Sequence, residues 1–380
     1  MSDRRPKVVV CGGGAAGMAA AVGAARAGAD VMLLEARPRL GGTVGHALIH
    51  TIGGLFDDAG ERINAGLPSE LIGRLSDAGA ARGKRRIGRA WVLDVCPDAY
   101  QAVTERWLAA EPRVVVRTAT PVQRVVWTSG DHVNAVDAAG RIDVDAVIDS
   151  TGTAEVVRQV DPALIVDEAE CAAGGLILRV RGVDPAVRAF PRGLQAVRAL
   201  QRAGEDGTLP TSCAKAWIDR GIHDDEVFIK LMVPTPAQAT GDLHTAVFDF
   251  LRRLPGFVSA RLTSVGEIGI RDGGRVHGEY CLTVDDVRQA RKFGDAACRA
   301  AWPIEYWDPE EGVKVEYLSA GSYYEIPLRA LRVRGFTNLW VAGKCLSADR
   351  FAQASARMVG TCWAMGEAAG RAAATACQTP

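Results

Sequence analysis

Between Lys7 and Gly42 the chain reads KVVVCGGGAAGMAAAVGAARAGADVMLLEARPRLGG, and the spacing of three glycines there constrains the fold more than any other feature. Gly12, Gly14 and Gly17 stand in G-x-G-x-x-G order directly behind a β-branched run, Lys7 to Cys11. The alanine-rich stretch that follows predicts a helix from Ala15 to about Gly28, and Val31 to Leu34 predicts a second strand that Glu35 closes. Each position then has a physical task. Gly12 permits the tight strand-to-helix turn, Gly14 leaves room for a pyrophosphate against the backbone, and Gly17 lets the helix sit close to the sheet. Free N–H groups and the positive end of the helix dipole would meet the phosphates, and Glu35 would accept the ribose hydroxyls. A competing reading is a leader, because Arg4 and Arg5 precede an apolar run much as in secretory or twin-arginine signals. It leaves the glycine spacing and the closing acid unexplained, so the dinucleotide fold is preferred.

Which dinucleotide is decided just beyond Glu35. Arg39, Gly41, Gly42 and Thr43 form an R-x-G-G-T run, which resembles that of flavoproteins of the glutathione-reductase-like FAD-binding class. An ordinary turn at Pro38 and Gly41-Gly42 would have the same composition. The position directly behind the ribose acid favours FAD.

A chain of 380 residues accommodates two lobes, or one large domain carrying an inserted one. Hydrophobic residues at 48% and charged residues at 24% argue against extended disorder. Lys plus Arg equals Asp plus Glu at 45 each, a balance that suggests no nucleic-acid partner. The nine cysteines are never in C-x-x-C spacing, and read as reduced thiols of a cytoplasmic protein. The six histidines form no metal-binding motif, so no metal is expected. No apolar run reaches the length of a membrane span.

Farther along, Trp91 to about Val116 predicts a strand entry, a helix from Pro97 to Ala110 and a strand from Arg113 to Arg117. Thr120 to Gly152 alternates as a β-meander, with turns at Ser129-Gly130 and Ala139-Gly140, and ends in a strand from Ala146 to Asp149. Ser150, Thr151, Gly152 and Thr153 would bring the backbone near the cofactor again. The middle, about Ala172 to Gly266, carries the strands GGLILRVRGVD and EVFIKLMVPT and an amphipathic helix from Asp242 to Arg253. It predicts a second lobe on an antiparallel sheet, covering the flavin ring and forming the substrate pocket. The last segment returns with a strand from Leu339 to Ala342, a turn at Gly343, a loop to Ala354, and an Ala/Gly-rich helix from about Val359 to Ala376, expected to pack closely on the sheet. Its N-terminus would aim at the flavin pyrimidine, where negative charge collects on reduction.

The order of these segments resembles the FAD-dependent oxidoreductases of the FAD-oxidored group. INAGLPSELIGRL, Ile63 to Leu75, is similar to the family's G-I-x-E-E helix entry, VIDSTG to its I-D-A-T-G, and IGIRDGGRVHGEY, Ile268 to Tyr280, to its G-x-R-E-S-R-R-I-x-G-x-Y. YYEIPLRAL and NLWVAGKCLSADRFAQASARMVGT resemble its closing segments. The resemblance implies an α/β fold: a Rossmann-like FAD-binding domain of residues 1–165 and 267–380, with an inserted antiparallel-sheet substrate domain of residues 166–266. FAD contacts are expected from Gly12, Gly14, Gly17, Glu35, Arg39, Gly41, Gly42, Thr43, Val122, Thr151, Gly152, Gly343, Lys344, Met358, Val359 and Thr361. Two departures stand out: Thr153 occupies a position where the family has Asp, which would lose that carboxylate or move it to Glu155, and Asp272-Gly273-Gly274 replaces Glu-Ser-Arg.

A flavin takes hydride from a C–H bond held against it, and the protein supplies orientation, a base and positive charge. Lys344 is the candidate for that charge. Arg271, Arg275 and His277 would bind a carboxylate or carry protons, with a structural ion-pair loop as the alternative. His46 and His50 follow the R-x-G-G run as candidate bases, and His46 alternatively as a covalent flavin link. Tyr323 and Tyr324 are candidates for the pocket wall or for plain core. No second G-x-G-x-x-G and no C-x-x-C appear, which argues against a disulfide reductase. Ala342-Gly343-Lys344 lacks the Gly-Asp of aromatic-ring hydroxylases, and WPIEYW, Trp302 to Trp307, resembles the W-x-W-x-I-P of flavin halogenases only in composition. The expected reaction is hydride transfer from a small molecule at a CH–CH, CH–NH or CH–OH carbon, with oxygen or an external acceptor receiving the electrons. A monooxygenase is the alternative, and a flavin held as a structural or sensing element is a third reading, disfavoured by the large second lobe. Neither nucleic acid nor membrane is expected as partner, and oligomeric state is left open.

Overall fold

The computed structural model describes residues 4–127, 130–166, 171–189, 191–234 and 242–378. Ser129 of the expected meander turn, and Thr235 at the end of the strand EVFIKLMVPT, lie outside them.

Five short, largely apolar strands form one all-parallel sheet, in the order Leu339–Val341, Ala146–Asp149, Lys7–Cys11, Asp30–Leu34, Val114–Arg117. The inner strands are apolar on both faces because helices and strands cover both, whereas the edge strand Val114–Arg117 leaves Val115 exposed. The chain starts in the middle, builds toward Val114–Arg117, and then crosses to the other side of the first strand. Between Cys11 and Asp149 the sheet therefore has its topological switch point, the crevice where an α/β sheet receives a ligand.

On one face the fingerprint helix, Ala15–Arg26, and the last helix, Val359–Ala376, lie against each other. A Cβ on Gly366 would fall 2.1 Å from the Ala16 carbonyl oxygen, and one on Gly370 would fall 2.1 Å from that of Ala20. These small residues of the last helix serve close approach to the first helix, and the same helix shares a core with the parallel sheet, as the sequence suggests. On the other face lies a three-stranded meander, Arg124–Val126, Ala135–Asp137 and Arg141–Asp143.

A four-stranded antiparallel sheet holds Trp217–Arg220, Val227–Val233, Gly174–Arg181 and Arg261–Val265 in that order. Helices Arg192–Glu205 and Leu243–Leu251 cover it and share a core with it. A smaller sheet of Thr51–Ile52, Ala90–Val95 and Ala81–Ile87 joins the two bodies. Two antiparallel pairs, Ala296–Ala300 with Tyr324–Pro327 and, inserted between them in the chain, the hairpin Ile304–Asp308 with Gly312–Glu316, complete the architecture. Where a loop was expected before Ala354 there is a short helix, Arg350–Ala356, started by Asp349, whose side chain accepts from the Ala352 N–H. Among the described residues no helix is long and apolar enough to cross a membrane, and no group of three or more His, Cys, Asp or Glu side chains could hold a metal ion.

Candidate functional site

The fingerprint loop closes as its spacing requires. Gly12 has φ of +104°, and a Cβ there would fall 2.5 Å from the Ser150 carbonyl oxygen. One on Gly17 would fall 1.8 Å from the Gly12 oxygen. Gly14 differs: a Cβ on it would meet nothing closer than the Gly42 Cα at 3.7 Å. The space above Gly14 is open, and the helix behind it starts without a side-chain cap, so first-turn N–H groups remain for a ligand. The R-x-G-G-T run packs on this loop, with the Gly41 N–H donating to the Gly13 oxygen at 3.0 Å. A Cβ on Gly42 would approach the Gly14 Cα to 2.7 Å. Thr43 is exposed beside it, and the exposed Arg39 lies 3.4 Å from Glu105. Glu35 is held in place because its Oε2 accepts from the Gly13 N–H at 2.6 Å and its Oε1 from the Arg37 N–H at 2.8 Å. Its carbonyl accepts from the Thr120 N–H, which brings the segment carrying the half-buried Val122 alongside.

Across the switch point, the buried Asp149 anchors the second turn. Its carboxylate accepts from the Thr151 N–H and hydroxyl and from the Val156 and Val157 N–H groups. Burial nonetheless raises its pKa, more than these donors lower it. Glu155 Oε1 accepts from Gln159 on its own helix at 3.0 Å. Gly152, with φ of +77°, faces Lys344, whose Cε would lie 3.1 Å from a Cβ placed there. The Lys344 ammonium donates to the Ile270 oxygen at 2.6 Å, and burial lowers its pKa. Gly343 turns the chain with φ of +77° between the strand and this lysine. The last helix begins at the half-buried Met358 and Val359, with no side-chain cap and no acid in its first turn. The Gly360 N–H is taken by the Gly53 oxygen at 2.9 Å, whereas Thr361 Oγ1 is buried beside Gly54 with no hydrogen-bond partner.

The Ile268–Tyr280 segment meets this turn directly, since a Cβ on Gly274 would fall 2.4 Å from the Thr153 carbonyl carbon. Arg271 and Arg275 diverge here. Arg275 is buried and donates to the Ala348 oxygen at 2.6 Å. Arg271 lies over Trp307, with Cζ 3.9 Å from the ring centroid, and donates to the Ala173 oxygen. Its neighbour is instead Arg357, which donates to the Arg271 oxygen at 3.1 Å, to Asp272 Oδ1 at 3.0 Å and to the Glu305 oxygen at 3.0 Å. Burial and the Arg357 charge pull the Arg271 pKa down to about 9, still protonated at neutral pH. The Glu305 carboxylate ties two indoles: Oε2 accepts from Trp302 at 3.0 Å and Oε1 from Trp307 at 2.7 Å. Trp302 in turn fills the space beside Gly53.

The histidines scatter. His46 is half-buried, with Nε2 3.0 Å from the Arg39 oxygen. His50 is sealed between the bodies, stacked on Phe228 at 3.7 Å, with Nε2 3.5 Å from Asp219 Oδ2. His277 ties its backbone to Leu164 and Arg334. Tyr324 is core, donating to Ser355 at 2.8 Å, and Tyr323 lies beneath Lys292 and Arg299. The sequence reading missed Arg357, Asp272, Trp302, Glu305 and Trp307 as a group. All lie in segments it had singled out, in SARMVGT, the Ile268–Tyr280 run and WPIEYW. Their signal was a charge or an indole in a stretch already set apart, but their meeting needs contacts between distant parts of the chain.

These residues fit FAD: the open space over Gly14 suits a pyrophosphate, Glu35 suits a ribose, and Thr361 Oγ1 is a buried polar atom left without a partner. No curated protein matches the chain. Among solved structures it resembles CtdE in complex with FAD (14% identity, 99% of this chain and 88% of that one, TM-score 0.47). It also resembles p-nitrophenol 4-monooxygenase PnpA from Pseudomonas putida DLL-E4 (13%, 68% and 65%, 0.44) and GidA of Aquifex aeolicus (12%, 98% and 64%, 0.52). It thus spans just under two thirds of the length of PnpA and of GidA, and at 12% identity the likeness to GidA is one of fold. The family described as FAD dependent oxidoreductase matches residues 7–380. With a match that runs from the first strand to the last residue, the chain belongs to the FAD dependent oxidoreductases, and on that family FAD is its cofactor.

Proposed function

We propose that this enzyme oxidises a small organic molecule as a dehydrogenase or oxidase, removing a hydride at a CH–CH, CH–NH or CH–OH carbon, with oxygen or an external acceptor receiving the electrons. The observation that carries this reading is the junction of the cofactor turns with a cationic and aromatic wall. Gly152 abuts Lys344, and Gly274 abuts Thr153, and on these contacts we assign Arg271 and Trp307 to the same cleft as the flavin turns. When bound, the isoalloxazine ring supplies the two-electron chemistry.

The chain's own residues supply the rest. Lys344 provides positive charge at the cleft. Its lowered pKa makes Nζ a better acid than an ordinary lysine, able to hold or release a proton nearer to neutral pH. Trp302 and Trp307, fixed by Glu305, present an apolar surface that excludes water, and Arg271 offers donors for orienting a substrate. The inserted antiparallel sheet covers this side, with Gly175 close beneath the Arg271 guanidinium.

The test is anaerobic mixing of the yellow holoprotein first with NADH or NADPH and then with candidate electron-donating substrates, following flavin absorbance. The expected result is bleaching by substrate alone and a product lacking two hydrogens. Rapid bleaching by pyridine nucleotide, with a product carrying an atom of labelled dioxygen, would replace this reading with a monooxygenase.

A further inference from the structure

Arg271 is held ready for a partner that the described residues do not provide. Its guanidinium lies flat on Trp307, and that ring is fixed by its own bond to Glu305. Of its five N–H donors, the hydrogen bond made among the described residues goes to the Ala173 oxygen. Among the described residues no carboxylate forms an ion pair with it. The two acids that act on its charge are committed elsewhere: Asp272 accepts from the Ala172 N–H at 2.5 Å and from Arg357 at 3.0 Å, and Glu305 accepts from both indoles. Among the described residues Asp272 and Glu305 act on both Arg271 and Arg357, and Asp272 acts on Lys344 as well, so these three cations face two carboxylates and one positive charge is left over. The position is reachable, because Arg271 is half-buried, the adjoining Ile270 is exposed, and Gly273 has open space where a Cβ would stand. Gly175 keeps the room this guanidinium needs, since a Cβ there would lie 3.0 Å from its terminal nitrogen.

We infer that the substrate is a small organic carboxylate, its anionic group held by the Arg271 guanidinium on the face of Trp307, with Lys344 as the second positive group. A planar fork with free parallel donors suits a carboxylate bidentately, and a single surplus charge matches a monoanion better than a doubly charged phosphate. Arg357 serves as a positioning residue, spent on Asp272 and on the carbonyls either side. This assignment rests on the proposed reaction only in taking the cleft to be the substrate site, and binding can be measured without turnover.

The experiment titrates the FAD-loaded protein with benzoate and hexanoate, each against its neutral amide, and with inorganic phosphate. The readouts are the flavin absorbance difference spectrum and tryptophan fluorescence. At least one acid is expected to bind saturably, at least about tenfold more tightly than its amide, a factor typical of hydrogen bonds to a charged group. Arg271→Gln should weaken that acid by a similar factor while retaining FAD, and Arg271→Lys should fall between. The inference is overturned if neither acid saturates, if the amides bind equally well, if phosphate binds more tightly than both acids, or if Arg271→Gln leaves binding unchanged. Loss of FAD from both Arg271 variants would assign the residue to the cofactor and overturn it as well. Flavin bleaching by NADPH with dioxygen-derived oxygen in the product would sink the hydride-transfer reading yet leave this carboxylate subsite standing, so the two fail separately.

Discussion

The imidazole of His50 lies flat on Phe228, ring centroids 3.7 Å apart and planes 8° apart, between the small sheet and the antiparallel one. Charged groups surround it: Asp219 Oδ2 at 3.5 Å, Lys230 bonded to that carboxylate at 3.0 Å, and Arg85 bridging Asp219 and Asp94 at 2.7 Å each. Nδ1 lies 3.3 Å from the Leu48 oxygen. Burial and the Lys230 charge lower its pKa to about 4, against the opposing pull of Asp219. The folded state therefore holds His50 neutral where the unfolded chain, titrating near 6.5, takes up a proton. The stability this contributes is fully present above about pH 6.5 and is lost progressively as pH falls toward 4. Urea unfolding at pH 7.5 and pH 4.5 should differ by roughly 2 to 3 kcal/mol from this group. In His50→Gln that difference should shrink by about the same amount; an unchanged pH profile would remove His50 as its source.

Two glycines of the fingerprint should respond in opposite ways. Gly12→Ala forces a Cβ into the Ser150 backbone at positive φ, so the protein should lose several kcal/mol of stability, on the order of 2 to 4. Gly14→Ala puts its methyl in open space, and the apoprotein should unfold within about 1 kcal/mol of the parent. That methyl stands where the pyrophosphate would lie, so FAD affinity should fall markedly. Fluorescence titration with FAD and urea unfolding of both variants check this; a Gly14→Ala protein that binds FAD normally would move the phosphates elsewhere.

Arg357 and Asp272 form a buried pair at 3.0 Å, each less than a tenth exposed. Arg357→Met strands the Asp272 carboxylate and two carbonyl oxygens, and should cost about 3 to 5 kcal/mol. Adding Asp272→Asn should recover part of that loss, because the stranded charge is removed. Additive losses in the double variant, read by urea unfolding, would deny the pairing.

Glu305→Gln tests the indole tie. A carboxylate gives Trp302 and Trp307 one acceptor oxygen each, whereas an amide presents an NH2 to one of them. Stability should fall by about 1 to 3 kcal/mol, and tryptophan emission should change as one indole N–H loses its partner. Unaltered emission together with an unaltered thermal midpoint would show that the tie is dispensable.

The fingerprint was legible because its signals are local. A turn that must pass under a phosphate needs Gly12, Gly14 and Gly17 at that spacing, and the strands beside it are short, β-branched and contiguous. The segment Val359–Ala376 could be bounded as a helix from composition alone, and Ala146–Asp149 as a strand. The small sheet that carries Arg85 and Asp94 was not legible as a sheet, since Ala81–Ile87 is a mostly exposed and basic strand without the apolar alternation that marks a half-buried one.

By itself the sequence determined the α/β frame and the cofactor loop, because these depend on backbone freedom and on apolar periodicity within a few neighbouring residues. Only the tertiary structure decided how the cations are partnered. Arg275 stands four residues from Arg271 yet turns to the Ala348 carbonyl, while Arg357, 86 positions away, becomes the neighbour of Arg271. Which carboxylate neutralises which guanidinium depends on distances across the fold, and Coulomb and desolvation energies change with ångströms of separation that no local pattern of residues specifies.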